Sequence, residues 1–183
     1  MTTQDLHSIY DELGINLVRL GCIMMGTEAL KVSDLVNEED LYFTADDNKF
    51  WINGIVSEWK TPHITLLWGL LQSGQDWKSY VDQALDGWSM PTVLIDEVGF
   101  FDSTYKEEEY YCIIAHLALT EELKDANFRL RMLPHIDSFP DYSPHITLCY
   151  IKKDSEKRDE LVQQLNDRFA GQKVKTTNID YGK

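Results

Sequence analysis

Six residues recur almost unchanged in this chain: Thr61-Pro62-His63-Ile64-Thr65-Leu66 returns as Ser143-Pro144-His145-Ile146-Thr147-Leu148, 82 residues further on. Five positions are identical, and the sixth keeps a hydroxyl. A repeat separated by nearly half of a 183-residue chain points to two related halves, not to an array of small units. The length suits one domain spanning 1–183, since domains commonly run to roughly 100–200 residues. No stretch rich in Pro, Gly or Ser divides the halves. Two fused lobes with a cleft between them are the expectation.

Side chains two apart in a strand share a face. His63 and Thr65 therefore point together, as do His145 and Thr147. Ile64, Leu66 and Trp68, and in the second copy Ile146, Leu148 and Tyr150, then pack on the opposite, dry face. On this parity Trp68 and Tyr150 belong to the core.

Around the motif strands, about 62–68 and 144–151, hydrophobic periodicity places the other elements. It predicts a strand near 17–25 and a helix over 76–85 stopped by Gly87. The segments 92–101 and 110–119, rich in β-branched and aromatic residues, read as an antiparallel hairpin around the charged turn 102–108. Thr120 followed by Glu121 and Glu122 reads as the start of a helix running to about Arg131. A further helix is expected over 155–169, with Gly171 just beyond, and a last strand over 173–179. The acidic stretch 33–49 reads as a short helix with loops. The fold class is α+β, with helices outside antiparallel or mixed sheets.

Charge narrows the partner. Seventeen basic against 31 acidic residues give a net charge of −14. Long nucleic acids are held chiefly by Lys and Arg neutralising successive phosphates, so this balance disfavours them and favours a nucleotide-sized ligand in a local pocket. Cys22, Cys112 and Cys149 lie in apolar runs without metal-ligand spacing and read as free thiols in a reducing compartment. No apolar run reaches membrane-spanning length and the N-terminus lacks the pattern of a secretory signal, so a cytoplasmic protein without membrane association is expected.

Breaking a P–O bond requires a proton taken from the attacking oxygen and another given to the leaving oxygen. Histidine titrates near neutral pH, so one imidazole of a pair can be the base while the other is the acid, each contributing about 10²–10⁴-fold. The hydroxyls of Thr65 and Thr147 can hold the non-bridging oxygens. A single Pro-His-Ile-Thr-Leu would carry little weight; two in corresponding halves make His63 and His145 the catalytic candidates and Thr65 and Thr147 the substrate-binding ones. Two histidines are too few ligands for a catalytic zinc, and no H-E-x-x-H, Walker loop or G-x-S-x-G elbow is present, so no metal or other cofactor is expected. Which histidine is base and which acid stays open.

With His63-Ile64-Thr65 and His145-Ile146-Thr147, the sequence resembles the 2H phosphoesterase superfamily, the LigT-like enzymes built on two H-x-[ST] motifs. The resemblance implies a bilobal α+β fold: two pseudo-symmetric lobes of antiparallel sheet, outer helices and a central cleft. It also implies hydrolysis of a small nucleotide phosphodiester: a 2′,3′-cyclic phosphate, a 2′–5′ linkage or a cyclic oligonucleotide signal. The acidic segment 33–49 departs from the smallest members. The competing readings are a non-catalytic module that sequesters a nucleotide and an enzyme that processes RNA ends.

Other residues read as structural. His116 lies in an apolar hairpin strand, His135 in a Pro-flanked loop and His7 near the N-terminus, none with a patterned partner. Lys60, Lys152 and Lys153 are the basic residues nearest the motifs in sequence, and solvated surface explains them better than phosphate binding. Trp51, Trp59, Tyr42 and Tyr142 suit either the pocket or the core.

Overall fold

The computed structural model describes residues 9, 12–14, 20–44, 49–55, 61–103, 109–137 and 141–182. Nine strands are described: β1 (Gly21–Thr27), β2 (Phe43–Thr44), β3 (Lys49–Phe50), β4 (His63–Leu70), β5 (Val93–Asp102), β6 (Tyr110–Leu117), β7 (His145–Lys152), β8 (Lys173–Val174) and β9 (Thr176–Gly182). Three α-helices accompany them: α1 (Lys78–Ala84), α2 (Glu121–Leu130) and α3 (Arg158–Phe169). Seven strands form one antiparallel sheet in the order β8-β5-β6-β7-β4-β1-β9, and β2 and β3 make a separate hairpin. The α+β class holds, and the sheet is antiparallel throughout.

Most boundaries shift for local reasons. Tight turns through Ser73–Trp77 delay α1 to Lys78. α3 starts at Arg158 instead of 155 because the Ser155 hydroxyl donates to Asp40 at 2.9 Å and accepts from the amide of Lys157. Thr120 caps α2 as expected, its hydroxyl accepting from the amide of Leu123. Part of the first predicted strand, 17–19, and the tip of the hairpin turn lie outside the described residues, as do His7, Trp59 and Lys60.

β4 and β7, the two motif strands, are neighbours at the middle of the sheet, where Ile64 and Ile146 form their one register pair among the described residues. Elsewhere the two strands diverge, and each takes a new edge partner from the other half of the chain. Past the crossing, β4 is met by 134–136: Leu70 bridges His135, and the amide of Ile136 donates to the Gly69 carbonyl at 2.8 Å. β7 is met by residues within and just after the acidic stretch: Leu41 bridges Ile151, Ile52 bridges Cys149, and the amide of Tyr42 donates to the Tyr150 carbonyl at 2.9 Å. The stretch 33–49 thus holds a short 3-10 turn over Glu38–Asp40 and the β2–β3 hairpin, and the chain around it closes the exposed side of β7.

One face of the sheet is the core. Ile64, Leu66, Leu67, Ile146, Leu148 and Cys149 are buried there with Leu123, Ala126 and Leu130 of α2 and Leu161, Leu165 and Phe169 of α3. At roughly 25 cal/mol per Å² of apolar surface removed from water, this cluster is the main source of stability.

Both motif strands carry a bulge at the same place. Thr65 pairs with Met24 and Leu67 with Ile23, leaving Leu66 unmatched. Thr147 pairs with Ile114 and Cys149 with Ile113, leaving Leu148 unmatched. A bulge inserts one residue and resets the alternation. Leu66 and Leu67 therefore both face the core, as do Leu148 and Cys149, and the next residues swing to the other face. Trp68 and Tyr150 are thus on the histidine face, not in the core as simple alternation predicts. The carbonyls that the bulges and the divergence leave off the ladder are all taken up. The Leu66 carbonyl accepts from Asn127 at 2.7 Å and that of Leu148 from the amide of Asn53 at 2.8 Å. The Thr65 carbonyl accepts from the Tyr142 hydroxyl and the Thr147 carbonyl from the Asn53 side chain, both at 3.0 Å.

Candidate active site

Antiparallel pairing of Ile64 with Ile146 sets His63 across from Thr147 and Thr65 across from His145. The four polar side chains stand at the corners of a rectangle around the crossing, on the face that the helices leave uncovered. Because the strands part on either side of that pair, ordinary strand spacing sets a lower bound of roughly 8 Å between the histidine Cα atoms across the diagonal. Two hydrogen bonds of roughly 2.8 Å with a phosphate between them suit that span.

Each imidazole is anchored in the same way. His63 Nδ1 is 2.8 Å from the carbonyl of Thr61, and His145 Nδ1 is 3.0 Å from the carbonyl of Ser143. A carbonyl only accepts, so each bond makes Nδ1 the protonated nitrogen of the neutral ring and leaves Nε2 as the working one. The anchor is a product of local sequence. The residue before a proline is held extended and the proline φ is fixed, which carries the carbonyl back over the following histidine. A third Pro-His-Ile, Pro134-His135-Ile136, makes the same bond, with His135 Nδ1 2.7 Å from the Leu133 carbonyl. There, however, Asp137 stands where the motifs have threonine, and Nε2 is enclosed without a partner. His135 shares the anchor and not the site.

The structure adds one histidine that sequence reasoning set aside. His116 of β6 pairs directly with His145 of β7, on the same face. Phe101 of β5 stands edge-on to both rings, with centroids 5.1 Å from His145 and 5.6 Å from His116 and interplanar angles of 84° and 88°. Burial is the main influence that holds the His145 pKa below its ordinary 6.5; the bond to the Ser143 carbonyl pulls the other way, and the nearby His116 and His63 lower it further. The signal for His116 was the alternation Cys112, Ile114, His116. It gains meaning only once β6 is known to lie beside β7.

The remaining candidates fall outside this rectangle of histidines and threonines. Lys152 donates to the Glu39 carbonyl at 2.9 Å, and Lys153 pairs with Asp102 at 3.1 Å. Trp51 is 7 % exposed and packs on Tyr150, with ring centroids 6.0 Å apart. Tyr42 lies against Tyr110, and Tyr110 edge-on against Tyr150. Tyr142 is tied to the Thr65 carbonyl, and burial raises its phenol far above the ordinary value. The Thr147 hydroxyl is 3.8 Å from the sulfur of Cys112. The three cysteines are free; burial pushes the thiols of Cys22 and Cys112 up to about 11 and that of Cys149 higher, so none is a ready nucleophile. A cavity of about 240 Å³ between residues 34–37 and α3 is lined by none of the motif residues.

Among the described residues, no three His, Cys, Asp or Glu side chains converge as a metal-holding group would, and no helix is long and apolar enough to cross a membrane. No known family model matches the chain, and no curated protein matches it.

Proposed function

We propose that this protein is a metal-independent phosphodiesterase in which His63 and His145 exchange protons with a small nucleotide phosphodiester held between them. The substrate class is a 2′,3′-cyclic phosphate, a 2′–5′ linkage or a cyclic oligonucleotide. The two halves of the sheet act in this reading as the lobes of a 2H phosphoesterase-like fold, with the crossing of β4 and β7 as the cleft floor. The observation that carries it is the matched anchoring of both imidazoles through Nδ1 beside the crossing of β4 and β7, which leaves Nε2 of each ring as the working nitrogen.

His145 is the base, because burial and its neighbours favour its neutral form. With a cyclic phosphate, its Nε2 takes a proton from water as the water oxygen bonds to phosphorus. The bond to one ribose oxygen breaks, and His63 Nε2–H gives that oxygen its proton. The product is a phosphomonoester, and the two histidines end with exchanged protons. Thr65 and Thr147 donate to the non-bridging oxygens where charge accumulates. Because the amines of Lys152 and Lys153 are engaged elsewhere, the grip rests, among the described residues, on histidines and hydroxyls, which suits one phosphate better than a long polyanion.

The test is turnover of 2′,3′-cyclic mononucleotides, 2′–5′ oligoadenylate and cyclic di- and trinucleotides in the presence of EDTA, comparing the wild type with His63→Ala and His145→Ala. EDTA-resistant cleavage by the wild type, reduced by about 10²–10⁴-fold in each variant, is expected. Tight binding of one compound without cleavage would replace the enzyme by a sequestering module. Preferential cleavage of RNA ends would shift it to RNA processing.

A further inference from the structure

We propose that His116 is a positioning residue for His145, holding its ring with Phe101 and, when protonated, keeping it in the neutral form that a base requires. The assignment deepens the two-histidine reading and rests on it for its catalytic meaning.

Three features place His116 in this role. Its register partner on β7 is His145 itself, so the two rings lie side by side on one face instead of in adjacent layers. Phe101 stands edge-on against both rings, so one side chain packs on the pair. The strand beyond is cut back to admit the ring: a Cβ at Gly99 would lie 3.1 Å from His116 Nε2, tighter than ordinary packing tolerates.

Among the described residues, the groups that face His145 are few. From β6 there is His116 and, further along, Cys112; from β4 there is His63; from β5, Glu97 lies beyond His116 as its register partner; and Tyr142 lies on the approach to β7. Cys112 and Tyr142 are both held in their neutral forms by burial across the range where histidine titrates. The exposed carboxylate of Glu97 is separated from His145 by His116. A proton on His116 therefore acts on His145 through the shortest lateral contact, and like charges side by side disfavour the second proton.

The deciding measurement is the titration of the His145 and His116 ring resonances in the full-length protein by NMR, which needs no substrate. In the wild type each ring should show a second inflection as the other titrates. In His116→Gln the His145 midpoint should rise by about half a pH unit, a threefold change in the protonated fraction. In His116→Lys, which keeps a positive charge, the midpoint should stay at or below the wild-type value. Equal shifts in both variants, or single-step independent titrations in the wild type, would overturn the proposal and leave His116 as packing. If the wild type also turns over a substrate, the acid limb of its kcat/KM profile should move with the His145 midpoint. Absence of turnover would count against the phosphodiesterase reading while leaving the titration result intact.

Discussion

Beside His63 the neighbouring strand supplies Gly26, whereas beside His145 it supplies His116. The space that a side chain at Gly26 would occupy is taken by the Thr177 hydroxyl, with Asn178 close by, so the groups nearest that position are neutral. The two half-sites share the motif, the bulge and the Nδ1 anchor, yet one is bordered by amide and hydroxyl groups and the other by an ionisable ring. Two identical residues in identical surroundings would have the same proton affinity, and a base and an acid need opposite states. In this molecule a repeated backbone sets matching geometry, and burial, with the strand next door, favours the neutral form of one ring.

The sharpest break of the comparison is between the histidines themselves. His63→Ala and His145→Ala should each abolish most turnover, and the double variant should lose little more than either alone, since groups that act as a unit are not additive. An additive double variant would mean that the two halves work separately. Thr65→Val and Thr147→Val come next. Each removes one donor to the developing charge, and about 10²-fold should be lost from kcat with KM changed less. Unequal losses would show which half carries that charge.

Smaller again are the supports beneath the bulges. Asn127→Ala leaves the buried Leu66 carbonyl without its donor and should cost about 1–3 kcal/mol. Asn53→Ala leaves two groups unpaired, the Thr147 carbonyl and the amide of Leu30, and should lie at the upper end of about 1–3 kcal/mol. A lower urea midpoint with unchanged slope is the expected readout for both.

The repeat made the two half-sites legible from sequence, and propensity made most of the outer elements so. The hairpin of β5 and β6 and the Thr120 cap follow from local chemistry that needs no tertiary contact. What stayed hidden was non-local. Trp68 and Tyr150 were assigned to the wrong face because strict alternation has no means of showing a bulge, whose cause lies in pairing with Ile23 and Ile113 and in the waiting donors Asn127 and Asn53. His116 looked structural because its partner is 29 residues away across a helix and a loop. The segment 33–49 shows no hydrophobic period because its own residues 41–42, like 52–53 just beyond it, serve as edge partners, each pair touching β7 for only a residue or two.

The asymmetry of the half-sites should also appear in stability, as the smallest of the expected effects. A histidine whose folded pKa is lowered takes up its proton more readily when unfolded. The neutral ring of His145 therefore contributes stability that is fully present above the unfolded value of 6.5 and is lost as pH falls from there through the folded pKa. The wild-type profile alone will not isolate this, since a chain of net charge −14 also loses self-repulsion as its carboxylates take up protons, which raises stability in the same acid range. The informative quantity is the difference between the wild type and His145→Gln, measured as urea midpoints at roughly pH 5 and roughly pH 8. The wild type should lose more stability than the variant on acidification. In the His116→Gln background that excess should shrink, because the neighbour that disfavours the His145 proton is gone. An excess unchanged by His116→Gln would leave burial alone as the source of the asymmetry, and the contrast between Gly26 and His116 would then have no electrostatic consequence.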